Sequence, residues 1–202
     1  MKYSLKAIVA VALLFSATLS ANAQFENNRE TARFHFGIRG GLAVNSWSGD
    51  AVKGADPLAF PTGGFAFDIQ LAPVPVFIGF GLNYLNEGYK IDNYYGETKT
   101  TDLSAIHMPL VFGYHFNVAP NLFVSPYMGS FASYCVEDMD NKYIDDDSRI
   151  NYGLRFGCGL NFTRLTFDIA YDLGLKNFAD SDYDAHINTF FVTIGYNIAG
   201  AR

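Results

Sequence analysis

Five charged residues stand where small or polar side chains alternate with large apolar ones: Arg39, Asp68, Arg155, Asp168 and Asp172. Two guanidiniums and three carboxylates sharing one face have two uses. They can interlock as salt bridges and hydrogen bonds that fill a closed interior, since unpaired buried charge is costly. Alternatively they can line an ion pathway or a gate. A second acidic group runs from Glu137 to Asp147, and Asp180, Asp182 and Asp184 form D-x-D-x-D. Clustered carboxylates suit Ca²⁺, but an EF-hand begun at Asp180 needs glycine at its sixth position and glutamate at its twelfth. Ala185 and Phe191 stand there, so a solvated acidic loop is the better reading. His186 follows Asp184 near the Ser181 hydroxyl, the residue types of a lipid hydrolase. A triad is recognised by geometry, and no nucleophile motif accompanies these residues, so no enzyme and no cofactor are expected. His35, His107 and His115 are scattered along the polar register and read as polar filler.

The elements that hold these residues follow from patterning. Lys2 and Lys6 precede an uncharged run, Ala7 to Leu19, and Ser20-Ala21-Asn22-Ala23 then offers a signal-peptidase site. The apolar run would rise about 20 Å as a helix, short of the roughly 30 Å hydrocarbon layer. The pattern therefore predicts a cleaved secretory signal over 1–23, with Gln24 as the mature start and 24–33 as a short N-terminal periplasmic segment. Beyond it, period-two alternation marks strands over 34–45, 65–71, 76–84, 107–116, 122–134, 150–162, 165–174 and 189–198. One register carries Phe, Tyr, Leu and Ile; the other carries Gly, Ala, Thr, Asn and the five charges. The fifth strand has bulky residues in both registers, so its facing stays open. Pro109 and Pro126 lie inside strands, where each removes a ladder donor.

Connections alternate too. Ala72–Pro75, Val118–Asn121 and Phe162–Arg164 are tight; Ser46–Gly63, Asn86–Asp102, Val136–Arg149 and Lys176–Ile187 are long. An even strand number with short turns at one end and long loops at the other is the pattern of a bacterial transmembrane barrel. A soluble lipocalin-like barrel would show water a face rich in Lys and Glu. The small, glycine-rich register instead suits a narrow interior, leaving the aromatics to lipid. Trp47, Tyr84, Tyr89, Tyr94, Tyr95, Tyr134 and Tyr152 near the long-loop ends read as an interfacial girdle. The composition agrees: 14 Lys+Arg against 20 Asp+Glu, a net charge of −6, excludes a basic nucleic-acid binder. A hydrophobic fraction of 50% excludes a disordered chain. Two cysteines, Cys135 and Cys158, make neither a disulfide scaffold nor a zinc site, and hairpin register keeps them apart as free thiols.

Four passages also carry a family resemblance. Phe36-Gly37-Ile38-Arg39-Gly40-Gly41-Leu42 resembles the first strand of the small outer-membrane β-barrel domain of PorT-like proteins. Ile106 to Tyr114 is similar to that family's proline-bearing strand, Phe156-Gly157-Cys158-Gly159-Leu160 to its xGxGxE/L passage, and Ala170 to Asn177 to its RYxxGLTNI passage. The resemblance implies an outer-membrane location and, for some relatives, service to a protein-secretion apparatus. The expectation is thus an all-β protein: an eight-stranded antiparallel up-and-down transmembrane barrel within 34–202, with a plugged lumen. Its partners would be outer-membrane lipid and an envelope or secretion protein, with the barrel itself monomeric. A narrow channel is the alternative.

Overall fold

The computed structural model describes residues 33–49, 55–71, 74–92, 98–101, 103–136, 149–178 and 184–199. The predicted signal segment, most of 24–33, the acidic loop 137–147, and Asp180, Ser181 and Asp182 lie outside the described residues. Eight antiparallel strands close into a barrel. They are β1 Arg33–Ser48, β2 Leu58–Leu71, β3 Val76–Asn86, β4 Ser104–Tyr114, β5 Leu122–Cys135, β6 Ile150–Phe162, β7 Leu165–Gly174 and β8 His186–Ala199. After a break at His115, β4 continues as Phe116–Ala119. Each strand pairs with its sequence neighbour, and β8 pairs with β1 to close the ring. Closure leaves no open edge along the apolar layer, where an unpaired backbone group would find no water.

The registers resolve which face is which. Ile194 on β8 is 62% exposed and Phe112 on β4 51%, whereas Asp172 on β7 is 1% exposed and His107 on β4 is fully buried. Large apolar side chains point outward and the polar register points in, the reverse of a water-soluble barrel. In β5, the strand with two bulky registers, Ser125, Phe131 and Ser133 are buried and Tyr127 half-buried, while Pro126, Met128, Ser130 and Tyr134 are exposed. Room for the inward rings comes from glycines on the next strand. Tyr127 lies against Gly157, where a Cβ would overlap its ring, and Phe131 comes within 2.7 Å of where a Cβ on Gly153 would sit.

Several strands run longer than their alternation indicates, β2 by the most. β2 begins at Leu58, seven residues before Phe65, because Pro61 and the Gly63-Gly64 pair interrupt the apolar rhythm without breaking the ladder to β1 (Leu42↔Pro61, Gly40↔Gly63). Part of the connection from β3 to β4 is regular as well. Tyr89–Asp92 and Thr98–Thr101 pair as a hairpin that adds Ala55–Asp56 as a third strand. Pro109 interrupts the β3–β4 ladder, which runs to Phe80↔Leu110 and resumes at Asn83↔His107. Pro126 faces outward and stays paired with Cys158. At the short-turn end, Asn121 (φ 66°) and Thr163 (φ 55°) take the left-handed conformation that tight turns require, and the Thr163 amide donates to the Asn121 carbonyl at 3.1 Å.

The girdle needs one correction. Tyr84, Tyr134 and Tyr152 are exposed at the long-loop end, but Trp47 sits in the inward register. It contacts the Phe178 ring at 5.8 Å and donates its indole N–H to the Glu87 carbonyl at 3.2 Å. The side chains of Tyr89, Tyr94 and Tyr95 fall outside the described set.

A closed barrel with this packing resists SDS until heated. The unboiled protein should migrate differently from the boiled one on a gel. Gly157→Val drives a methyl into the Tyr127 ring, an overpacking worth about 1–3 kcal/mol, so the band should convert at a lower temperature. An unchanged conversion temperature would mean that Tyr127 does not occupy the lumen as described.

Candidate functional site

The polar register converges in the lumen, where strand pairing decides which groups meet. Arg155 on β6 lies opposite Asp172 on β7. Its Nη1 donates to both carboxylate oxygens, each at 3.0 Å. His107 on β4 joins them, with Nε2 at 3.1 Å from Arg155 Nη1 and 3.2 Å from Asp172 Oδ2. Its Nδ1 is 2.9 Å from the Ser133 hydroxyl, which lies opposite on β5. One ring proton serves either arrangement: Nε2–H toward Asp172, or an Nε2 lone pair toward Arg155, with Ser133 taking the complementary role. Apolar rings close the layer. The Arg155 guanidinium stands 4.5 Å over Phe191, and His107 lies 5.3 Å from Phe131 and 5.4 Å from Phe191. A desolvated cation over an aromatic face gains about 2 kcal/mol. Together these side chains cross the lumen from wall to wall.

Toward the short-turn end Tyr127 bonds Arg155 and links the central pair to Asp168. The Tyr127 hydroxyl donates to Asp168 Oδ2 at 2.8 Å, and His35 Nδ1 lies 2.7 Å from Asp68 Oδ1 across the β1–β2 pair. Ser125 accepts from Asn161 at 2.8 Å and bonds His115 at 2.7 Å, while Thr166 donates to Asn161 at 2.9 Å. Arg39 lines a cavity of about 100 Å³ with Asp68, Tyr127 and Asp168, polar enough and large enough for a few waters. Its Nη1 has no hydrogen-bond partner within the protein. The predicted five-residue interlock is therefore a set of smaller contacts. Arg155 holds Asp172, His35 holds Asp68, and Tyr127 holds Asp168 while also bonding Arg155.

At the long-loop end the connection after β3 folds into the mouth. Glu87 is buried, its amide donating to the Leu103 carbonyl at 2.7 Å. Asn151 donates to its carboxylate at 3.4 Å, and the Ser133 hydroxyl bonds it as well. Asn45 donates to the Asn86 carbonyl and accepts from Thr189 at 2.9 Å, tying the cap to the β1–β8 seam. Burial raises the Glu87 carboxyl above its ordinary value of 4.5, against those two hydrogen bonds.

Glu87, Tyr127, Ser133 and Asn151 were not legible as site residues. Glu87 falls in a long connection that no alternation orients, and Tyr127 and Ser133 sit on the strand whose facing the alternation leaves open. The usable signal was the run Gly153, Gly157 and Gly159 on β6, which implies large inward side chains on a neighbour. Of the hydrolase residue types, His186 Nδ1 bonds the Lys176 carbonyl at 2.9 Å and Asp184 accepts from Asn177 at 3.3 Å, while Ser181 lies outside the described residues. Cys135 lies opposite Ala105 and Cys158 opposite Pro126, and both are free thiols.

A closed antiparallel barrel with an apolar exterior and a polar lumen is what an outer-membrane strand protein requires, and residues 22–180 match the outer membrane protein beta-barrel domain family. The chain belongs to that family. The family match covers β1 to β7; β8 lies beyond it. Among solved structures, Neisserial surface protein A (NspA) is similar at 12% identity and a TM-score of 0.46, over 81% of this chain and 97% of that one. Ail, the attachment invasion locus protein of Yersinia pestis, solved in complex with the heparin analogue sucrose octasulfate, is 14% identical with a TM-score of 0.42, over 82% and 99%. The N-terminal β-barrel domain of Pseudomonas aeruginosa OprF is 12% identical with a TM-score of 0.37, over 80% and 97%. Among curated protein sequences none is significantly similar. As a family member the chain is an outer-membrane β-barrel protein.

Breaking the central pair leaves a buried charge without its partner, so Arg155→Leu or Asp172→Leu alone should cost about 3–5 kcal/mol. The double variant removes both charges and should recover most of the loss. Urea unfolding in detergent, followed by the gel shift, reads this; a double variant as weak as the sum of the singles would refute the pairing. Glu87 adds a pH dependence. The folded protein holds this proton to higher pH than the unfolded chain does. The stabilisation is therefore complete below the ordinary carboxylate value and is lost as pH rises through the raised one. Wild type and Glu87→Gln should unfold alike in acid, with wild type the weaker at neutral pH; parallel curves across the range would contradict the burial of Glu87.

Proposed function

We propose that this protein is a closed, non-conducting barrel that serves the cell envelope through the surfaces at its two ends, in a structural or interaction role. The observation that carries this reading is the Arg155–Asp172–His107 layer with Phe131 and Phe191 beside it, which spans the lumen, beneath a mouth capped by Glu87. Eight-stranded barrels have interiors that side chains can fill, whereas porins with twice the strands enclose water. In this reading the chain termini and short turns face the periplasm and the long loops face outward, the usual orientation of such barrels. It stands in lipid as a monomer, without enzymatic activity.

The kinship with PorT-like proteins, and through it a link to protein secretion, is the finer part of the proposal. Its support is that the four resembling passages fall on β1, β4, β6 and β7, in order. A deletion strain with secreted-protein and envelope-lipid profiles like its parent's would remove the secretion link; a changed lipid profile alone would favour an enzyme instead.

The competing reading is a narrow channel. Wild-type protein in planar bilayers should give no stable conductance steps, and Arg155→Ala with Asp172→Ala should introduce them by clearing the layer. Stable steps from the wild type would overturn the plug.

A further inference from the structure

A single hydroxyl joins the mouth of the barrel to its central layer. Ser133 on β5 bonds the Glu87 carboxyl on one side and stands 2.9 Å from His107 Nδ1 on the other. All three side chains are buried, which shields these bonds from bulk water. At the far edge of the imidazole, Nε2 lies between a donor and an acceptor at nearly equal distances. Arg155 Nη1 is 3.1 Å away and Asp172 Oδ2 3.2 Å. The heavy atoms therefore suit both neutral forms of the ring without moving.

The count of protons links the two ends. A serine hydroxyl has one proton to give, and a neutral imidazole has one N–H and one lone pair. An ionised Glu87 only accepts, so Ser133 donates to it and takes the Nδ1–H of His107. Nε2 then carries the lone pair and accepts from Arg155. A protonated Glu87 donates its O–H to Ser133, whose own proton turns to Nδ1. Nε2 then carries the hydrogen and donates to Asp172.

We infer that Glu87, Ser133 and His107 form a proton-operated relay, in which the charge of the carboxyl at the mouth sets the imidazole tautomer in the central layer, and with it the choice between Arg155 and Asp172. The group that takes up the proton and the two-state element it biases are distinct side chains. Burial holds the Glu87 proton above the ordinary carboxylate range, which moves the change toward neutral pH. The charged groups facing the relay are Arg155 on β6 and Asp172 on β7, and Asp172 is close enough to feel the Glu87 charge directly. Tyr127 on β5 bonds Arg155 from the far side. The contacts from other elements are uncharged: Trp47 on β1, Leu103 before β4, Asn151 on β6 and Phe191 on β8. The relay operates whether or not the lumen conducts, so it stands apart from the proposed function.

The test uses the full mature barrel in detergent micelles with its histidines ¹⁵N-labelled, and reads both ring nitrogens by NMR across pH. Protonated and unprotonated ring nitrogens resonate far apart, so the tautomer is observed directly. His107 is identified by the signals missing from His107→Gln, or by contacts of its ring protons with Phe131 and Phe191. In the wild type the ring proton should move from Nε2 in acid to Nδ1 as pH rises. Glu87→Gln, whose amide gives Ser133 an N–H when its carbonyl accepts from Asn151, should hold the Nε2–H form throughout. Ser133→Ala keeps the Glu87 charge but removes the relay, so its tautomer should no longer follow pH. A tautomer that still follows pH there would mean that the coupling runs through space from Glu87 to Asp172, and would overturn the relay. One tautomer across the range in the wild type, a change in the opposite direction, two ring protons in acid, or a pH-following tautomer in Glu87→Gln would each overturn it as well. The wild-type series alone can refute the relay, so the test survives a variant that fails to close.

Discussion

The narrow cross-section of an eight-stranded barrel governs the rest of this molecule. Inward side chains from all strands compete for one small volume, so a large ring on one strand demands almost nothing on the next. Tyr127 therefore faces Gly157, Phe131 faces Gly153, and Phe77, stacked on His115 at 4.2 Å, faces Gly113. Shifting any of these strands by one residue would drive a ring into a backbone, and shifting β6 would also turn Arg155 toward lipid. The glycines that weaken each strand locally thus specify the register of the whole ring.

Within that volume, polar groups must satisfy one another. The lumen solves this by layers that share members: Ser133 joins the Glu87 cap to His107, and Tyr127 joins Arg155 to Asp168. A charged layer at mid-height is flanked by hydrogen-bonded Ser, Asn, Thr and His groups toward the short turns and by the Glu87 cap toward the long loops. A buried ion pair is weak as a source of stability, because desolvation offsets much of the attraction. What the Arg155–Asp172 pair supplies is occupation of the central section by groups that hold each other and the two aromatic rings in place. At the long-loop end Glu87 and its partners fill the mouth, and at the short-turn end the left-handed Asn121 and Thr163 close tight turns.

Much of this was legible in the chain itself, for particular reasons. Strand number and outward face follow from alternation and from turn lengths, which are local. The inward position of Arg39, Asp68, Arg155, Asp168 and Asp172 follows from the same alternation. Their partners do not, because pairing depends on register across strands, and register depends on details such as the irregularity between Phe36 and Gly37 where β1 meets β8. Asp68 meets a histidine that looked like filler, and Asp168 meets a tyrosine on the strand of undecided facing. Glu87 was hidden for another reason: its burial comes from the loop after β3 folding into the mouth, which no short-range pattern announces.

The central charges also bear on how such a chain enters a bilayer. Arg155 and Asp172 are 17 residues apart on the two arms of one hairpin, joined by a two-residue turn at Thr163 and Arg164. Their contact needs only β6 and β7. The seam contact between Asn45 and Thr189 spans 144 residues and must await closure. The most costly pair of opposite charges can thus neutralise itself before any ring exists, and cross the interface as a dipole rather than as two ions. Hairpin-by-hairpin insertion is then open to this sequence without an early penalty from its most deeply buried charges.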